Sequence, residues 1–464
     1  MVLSRRRLLV LTGASVPALF GQSHFPGIPN IGFRADMEPA RSECGVGALM
    51  PWAESLWAVT YNSHTRVTGT GLALYRIGED LKSVERLHTH DGTHANRLIH
   101  HESNQAIIGP YVIDAKGNWR FIPAFEQHRL TATMRHLTDP ANRVYYQTME
   151  GLLFEMDVRD LKPRLLFDVV KEMGLSNRPH FKGGFTGQGR VIIANNGFYE
   201  FGENQAGLFE YDGKSWRRLS GKPHMDCAGR LNLGETVFCT GWDESSVLLW
   251  ALINGVWHRY RLPKGSHASD HAWQTEWMRI REVETERFLM DIHGTFYELQ
   301  PKPFLGAIWG VKPICQHLRI IPDYCAFRGL LALGGNQTTP NQDQNPVVGQ
   351  PQSGIWFGKT DDLWSWGKPQ GWGGPWRHSA LRKDETSDPF LMTGYDKKVL
   401  HVMSDRHAAF ELQVDFLGDG EWVTYTTLEV PRYAFHVFPP GFSAHWARLV
   451  ARADCAASAE FIYT

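Results

Sequence analysis

Cysteine, surplus charge and long apolar stretches are what this sequence has least of. Its six cysteines (Cys44, Cys227, Cys239, Cys315, Cys325, Cys455) are scattered over 464 residues with no CxxC pair, so no compact thiolate site or dithiol redox motif is encoded. In an oxidising compartment Cys227 with Cys239 would bridge a hairpin, and Cys44 with Cys455 the two chain ends; buried free thiols are the alternative. The formal net charge is -1, which lacks the basic excess of a nucleic-acid-binding surface. Past the N-terminus no apolar run reaches the ~18 residues of a membrane span. Helical periodicity is nearly absent, DVVKEMGL being one candidate, and no Pro/Ser linker divides the chain.

The N-terminus reads as an address. Ser4-Arg5-Arg6-Arg7-Leu8-Leu9 precedes VLTGASVPALFG, the basic-then-apolar layout of an export signal, with paired arginines of the twin-arginine kind. Val16-Pro17-Ala18 offers small residues for cleavage. Residues 1–22 are therefore set aside as a signal, and the mature chain is expected outside the cytoplasm, periplasmic or extracellular.

What the sequence has in quantity is short strands. LWAVTYN, GLALYRI, AIIGPYVID, GLLFEMDV, RVIIANNGFYEF, GLFEYDG, SVLLWALI and AAFELQVDF are β-prone runs between turn signals, and many such runs alternate apolar and polar residues, the mark of half-buried strands. Trp 17, Phe 25 and Tyr 14 supply bulky packing, and Gly 45 with Pro 25 supply turns. A loose hairpin unit recurs in GLLFEMDV, GFYEFGENQAGLFEYDG and GTFYELQP. Even spacing of about 55 residues predicts radial repetition. The expected fold is all-β, a seven-bladed β-propeller forming one domain over residues 40–464, with AEFIYT completing a blade begun near residue 45. Two β-sandwiches are the alternative. GGNQTTPNQDQNPVVGQPQSG, Gly334 to Gly354, reads as a long insertion over one face.

Chemistry gathers around histidine. His88, His90, His94, His100 and His101 fall within fourteen residues beside Arg97, and imidazole serves proton transfer and metal binding near neutrality. Arg135, His136 and Arg143 precede Tyr145-Tyr146. His180 and Arg190 flank a glycine-rich strand, and HASDHAWQTEWMRIRE carries His271, Trp277 and Arg279. Substrate contacts are assigned to Arg97, Arg135, His136, Arg143, His180, Trp277 and Arg279, expected at one mouth of the channel. His271, His293 and His317 are candidate ligands of a central ion. Hydrolysis of a glycoside wants two facing carboxylates; Asp243, Glu244, Asp361 and Asp362 all sit in turn-like contexts. Elimination from a uronate wants a base, an acid and cations on the enolate, and His, Tyr and Arg are those parts. For His136 and His180 the plain alternative is a partner for backbone groups at blade starts. For GWGGPW, stacking on a sugar competes with a blade-packing turn.

HANRLIHHESNQAIIGPYVID, RHLTDPANRVYYQTMEG, HFKGGFTGQGRVIIANNGFYE, DHAWQTEWMRIRE and GFSAHWARLVARADCAASAEFIY resemble a group of secreted propellers. The group takes in rhamnose–glucuronate lyases, propeller ulvan lyases and a related α-L-rhamnosidase family. The resemblance implies an active site of two histidines, a tyrosine and an arginine, matching His94, His100 or His101, Tyr146 and Arg190. It also implies a structural metal held partly by histidine, calcium or zinc, and no organic cofactor. The expected activity is β-elimination at rhamnose–glucuronate linkages of a plant or algal polysaccharide. An α-L-rhamnosidase on the same scaffold is the runner-up, and a non-catalytic glycan-binding propeller the third reading. The expected partner is a uronate-containing poly- or oligosaccharide, and the expected state a monomer.

Overall fold

The computed structural model describes residues 44–62, 72–176, 179–197, 205–231, 235–266, 278–317, 320–337 and 354–464. The export signal, His271, Trp277 and most of the loop between Gly334 and Gly354 lie outside the described residues.

Strands follow one another as antiparallel meanders, each strand pairing with the next in sequence. Six meanders carry four strands, over residues 44–89, 97–121, 130–168, 181–220, 224–262 and 279–316. A further one, 324–358, carries three among the described residues. In the third meander burial falls from the first strand to the last: Leu130–Arg135 is almost wholly buried, whereas Pro163–Asp168 is half-buried to exposed. Tight turns join the strands. Asn254 and Gly255 both take positive φ, 49° and 79°, the conformation that matches the twist of a two-residue hairpin.

The meanders have no single core. Each apolar cluster is shared by two neighbours: Met50, Trp57 and Val59 of the first pack on Ile108, Tyr111 and Ile113 of the second. Ile107 and Val112 of the second then pack on Val144 and Tyr146 of the third. The series continues around, and Ala332, Ile355 and Phe357 of the last meet Val46, Leu56 and Ala73 of the first. First strands neighbour first strands in the same order, with Cys44–Trp52 beside Tyr324–Phe327. A closed circle of this kind is a β-propeller.

The chain from residue 371 on is built differently. Gly371–Leu381, Cys455–Tyr463, Lys398–Ser404 and Tyr433–Val437 form one sheet. Phe390–Leu391, Trp446–Ala451, Ala408–Asp415 and Val423–Val430 form a second. Phe410, Leu412 and Leu449 of one sheet share a core with Leu400, Val402 and Phe461 of the other, so the two sheets make a sandwich. A parallel bridge, Arg261↔Phe390, joins the sandwich to the fifth meander. Arg261 clamps that joint through Asp243 (2.9 Å) and Asp388 (3.3 Å).

This corrects two expectations. AEFIYT does not complete the first blade: Cys455–Tyr463 pairs with Gly371–Leu381 and Lys398–Ser404, while Cys44 and Gly45 pair with Gln337 and Asn336. The propeller sheets also end near Gly358, short of residue 464, because the closing strands find a core of their own.

Candidate functional site

The first strands turn their edges to the ring axis, and there the apolar pattern is broken by charge. Arg97, Asp226, Arg279 and Arg281 lie on first strands, and Asp323 immediately precedes one. Asp226, Arg279 and Asp323 are buried, and the side chains of Arg97 and Arg281 are 15% and 14% exposed. Arg281 is the hub. Its guanidinium donates to Asp323 at 2.6 Å and to Asp226 at 2.9 Å. Arg97 meets the other oxygen of Asp323 at 3.2 Å and donates to the carbonyls of Leu49 and of Tyr324, the latter at 3.1 Å. Each aspartate also accepts a backbone N–H from the following blade: Asp226 from Ile280 (2.8 Å), Asp323 from Leu49 (2.7 Å). Tyr324 Oη donates to the carbonyls of Arg279 and Leu289, each at 2.8 Å. A chain of charge therefore links first strands across the ring.

Burial and pairing compete at each group. Desolvation alone would raise the Asp323 carboxyl, but Arg281, Arg97 and the Leu49 amide outweigh it and hold it below the usual carboxylate range. Desolvation would likewise weaken the Arg281 guanidinium; Asp323 and Asp226 reverse that and raise it. For Arg97 and Arg279 desolvation wins, and both are lowered from the ordinary arginine value.

Opposite the charged wall the channel is lined by small residues. Thr131, Ala132, Thr133, Gly183 and Gly184 face Arg97, Asp226 and Arg281 across a cavity of about 200 Å³. A Cβ on Gly183 would come within 2.7 Å of an Asp226 carboxylate oxygen, so glycine is what lets these strands approach. A larger pocket of about 690 Å³ continues from Arg97 and Leu98 to the mouth, bordered by Arg230, Glu282 and Glu284.

Of the described residues singled out from sequence, Arg97 and Arg279 belong to this cluster and the others do not. His94 is fully buried ahead of Arg97; its Nε2 meets the Asp91 carbonyl at 3.0 Å and its ring lies 4.6 Å from that of His90. Burial pushes it well below the usual imidazole range. His100 is also fully buried. Its Nδ1 accepts from the Ser103 amide (3.2 Å), so its Nε2–H donates to the Pro140 carbonyl (2.8 Å). His101 opens the turn after it and is exposed. Tyr146 is sealed between blades against Phe125, 4.5 Å away. Arg190 pairs with Glu210 at 2.8 Å, a carboxylate it shares with Arg217 and Trp257. Arg135 pairs with Glu102. His136 and Arg143 both bind Glu155, each at 3.2 Å. His180 is buried beside Asn195, whose Oδ1 accepts its backbone N–H at 2.9 Å.

The expected gathering of these groups at one mouth is therefore not what the fold makes. His100, Tyr146 and Arg190 are spent on caps, inter-blade packing and ion pairs. His293 meets Ser266 Oγ (3.3 Å) and His317 meets Asp291 (3.0 Å). Among the described residues no group of three or more His, Cys, Asp or Glu side chains is placed to hold a metal. Asp226 and Asp323 were absent from the sequence assignment. Their signal is a lone carboxylate at an apolar run, in HMDCAG and PDYCAF.

A β-propeller with a charged centre and a C-terminal sandwich is the class that fold and site define. No family model and no curated protein matches the chain. It is similar to the solved structure of U3-55K, at 10% identity and a TM-score of 0.45, over 71% of this chain and 99% of that one. It is similar also to the β-propeller domain of Cps50 (Swd1) from Myceliophteria thermophila: 9% identity, TM-score 0.40, 66% and 96% covered. PorZ of the Porphyromonas gingivalis type-IX secretion system shows 12% identity and a TM-score of 0.39, over 87% and 46%. The likeness is one of fold alone, which the strand order and ring closure of this chain establish independently.

Proposed function

We propose that the chain is an exported, seven-bladed propeller that takes a carboxylate-bearing glycan at its ring centre and cleaves it by β-elimination. The observation that carries this is the placement of two guanidiniums, Arg97 and Arg281, in the wall of the central cavity. A uronate carboxylate would accept hydrogen bonds from them, and a cation so placed would stabilise the enolate formed on losing the adjacent proton. Elimination is favoured over hydrolysis because Asp323 is held ionised and Asp243 is tied to Arg261. Neither is suited to the part of a general acid near neutrality. The base would be a neutral imidazole near the leading ends of the first strands, where His94, His180 and His224 lie. The export-like N-terminal sequence and the resemblance to rhamnose–glucuronate lyases support the same substrate class.

A second reading, a glycan-binding propeller without catalysis, is favoured by the structural employment of His100 and Tyr146. One assay separates them. Rhamnosyl-glucuronate oligosaccharide is incubated with the full chain while ultraviolet absorbance and new reducing ends are followed. Elimination raises both together, hydrolysis raises reducing ends alone, and a binding module raises neither. Reducing ends without absorbance would overturn the proposal.

A further inference from the structure

The outer face of the C-terminal sandwich carries a cluster of exposed aromatic residues. In the sheet of Gly371–Leu381, Cys455–Tyr463, Lys398–Ser404 and Tyr433–Val437, Leu400, Val402 and Phe461 point into the core. Residues alternating with them point out. Two cross-strand rows result: Phe435 opposite His401 opposite Glu460, and Tyr433 opposite Met403 opposite Ser458. Tyr433, Phe435 and Met403 are about half exposed, at 50%, 57% and 46%. The rings of His401, Tyr433 and Phe435 are separated by 6.1, 6.3 and 6.3 Å, with interplanar angles of 17°, 29° and 27°. Three near-parallel rings at almost equal mutual distances do not pile up; they tile a surface. Tyr433 Oη and His401 Nδ1 share a 2.9 Å hydrogen bond that fixes two of the tiles.

At the other end of these rows lies a cavity of about 270 Å³, bordered by Met403, Ser458, Glu460, Arg377, His378 and Glu244. The strand bordering it is bulged between Trp376 and Ser379, and His378 takes φ of 49° there. A left-handed residue with a Cβ inside a strand is strained, and a bulge re-aims the side chains that follow it. The His378 amide is tied to Ser458 Oγ at 2.8 Å. Aromatic tiles, then a strip of donors and acceptors of both signs, run across neighbouring strands for about 10 Å.

We propose that this face is a binding site for a neutral glycan chain, separate from the ring centre. The C–H faces of pyranose rings would lie on Tyr433, Phe435 and His401, as apolar sugar faces do on aromatic rings. Their hydroxyls would exchange hydrogen bonds with Glu460, Ser458, Arg377 and His378. Hydroxyls both donate and accept, which suits a strip mixing carboxylates, a guanidinium and an imidazole. A membrane surface would instead ask for a cationic surround to the apolar patch, and among the described residues Arg377 is the single guanidinium beside two carboxylates, Glu244 and Glu460, on the bordering cavity.

The test is affinity electrophoresis of the full chain through gels cast with xyloglucan, galactan or arabinan. At least one should retard the wild type. Tyr433→Ala with Phe435→Ala should weaken that retardation about tenfold or more, and His378→Gly, which relieves the strained φ, should weaken it while leaving the melting temperature intact. Tyr433→Phe should retain most of it. A wild type retarded by none of the gels overturns the proposal, as does an unaffected double variant. So does light scattering in which the double variant turns a dimer into a monomer, since the face then meets a second copy. The readout uses neutral polysaccharides, so failure of the elimination assay leaves this result standing, and the reverse.

Discussion

Replacing Asp323 by asparagine should expose how much of the ring depends on one carboxylate. The side chain is wholly buried, with Arg281 at 2.6 Å, Arg97 at 3.2 Å and the Leu49 amide at 2.7 Å. Asparagine keeps the shape and an acceptor for Leu49 but leaves two guanidiniums facing an uncharged group. Removing one partner of a buried ion pair costs about 3–5 kcal/mol, which for a chain of this size lowers the melting temperature by roughly 3–5 °C. The pH dependence gives an independent check. The folded carboxyl lies below its unfolded value, so its contribution is complete above the unfolded pKa of about 4 and is lost as pH falls further. The gap between wild type and Asp323→Asn should therefore be constant from pH 5 to 8 and shrink in stronger acid. Circular dichroism melts across that range decide it. A shift below about 1 °C at pH 7 would mean that the arginines find other partners and the charge chain does not hold the ring.

Two further outcomes follow from buried imidazoles. Burial holds His90, His224 and His445 down at about 4. The unfolded chain takes up protons from about pH 6.5 while the folded chain does not, so stability should fall between about 6.5 and 4, by about 1.4 kcal/mol per pH unit for each such group. Urea midpoints that do not differ between pH 7.5 and 5 would refute this. His100→Ala should cost about 1–3 kcal/mol by stranding the Ser103 amide and Pro140 carbonyl, whereas His101→Ala, at an exposed turn, should leave the melting temperature unchanged; equal shifts for both would refute the assignment.

The circle of meanders was legible because alternation along a strand reports half-burial directly, as in Leu152–Asp157, where half-buried and buried residues alternate from Leu152 to Glu155. The same property hid the sandwich. Ala408–Asp415 alternates buried and half-buried residues as a blade strand does, and alternation says nothing about which sheet a strand joins. Histidine clustering misled for a related reason. The fourteen residues from His88 to His101 cross an outer strand, a connection and a first strand, so neighbours in sequence part into different layers. His88 stacks on Phe121 at 4.7 Å, His100 enters the joint with Pro140, and His101 faces solvent. Arg97 and Arg279 were legible as cations near an axis. Their carboxylate partners were not, since Asp226 and Asp323 come from distant blades and no local pattern marks them as a pair.

Closure of the ring has a consequence for when the molecule can become whole. Its last joint is not a strand exchanged early between neighbours. Leu49 meets Asp323 across 274 residues of chain, and Cys44 and Gly45 meet Gln337 and Asn336. Contacts so remote in sequence must wait for the intervening loop to be organised, and they form late. On a ribosome the first blade would stand with one apolar flank, Val46, Leu56 and Ala73, uncovered until the strands after Asp323 had emerged. A chaperone that shields that flank would act on this interval and have nothing to hold once Asp323 has reached the first blade.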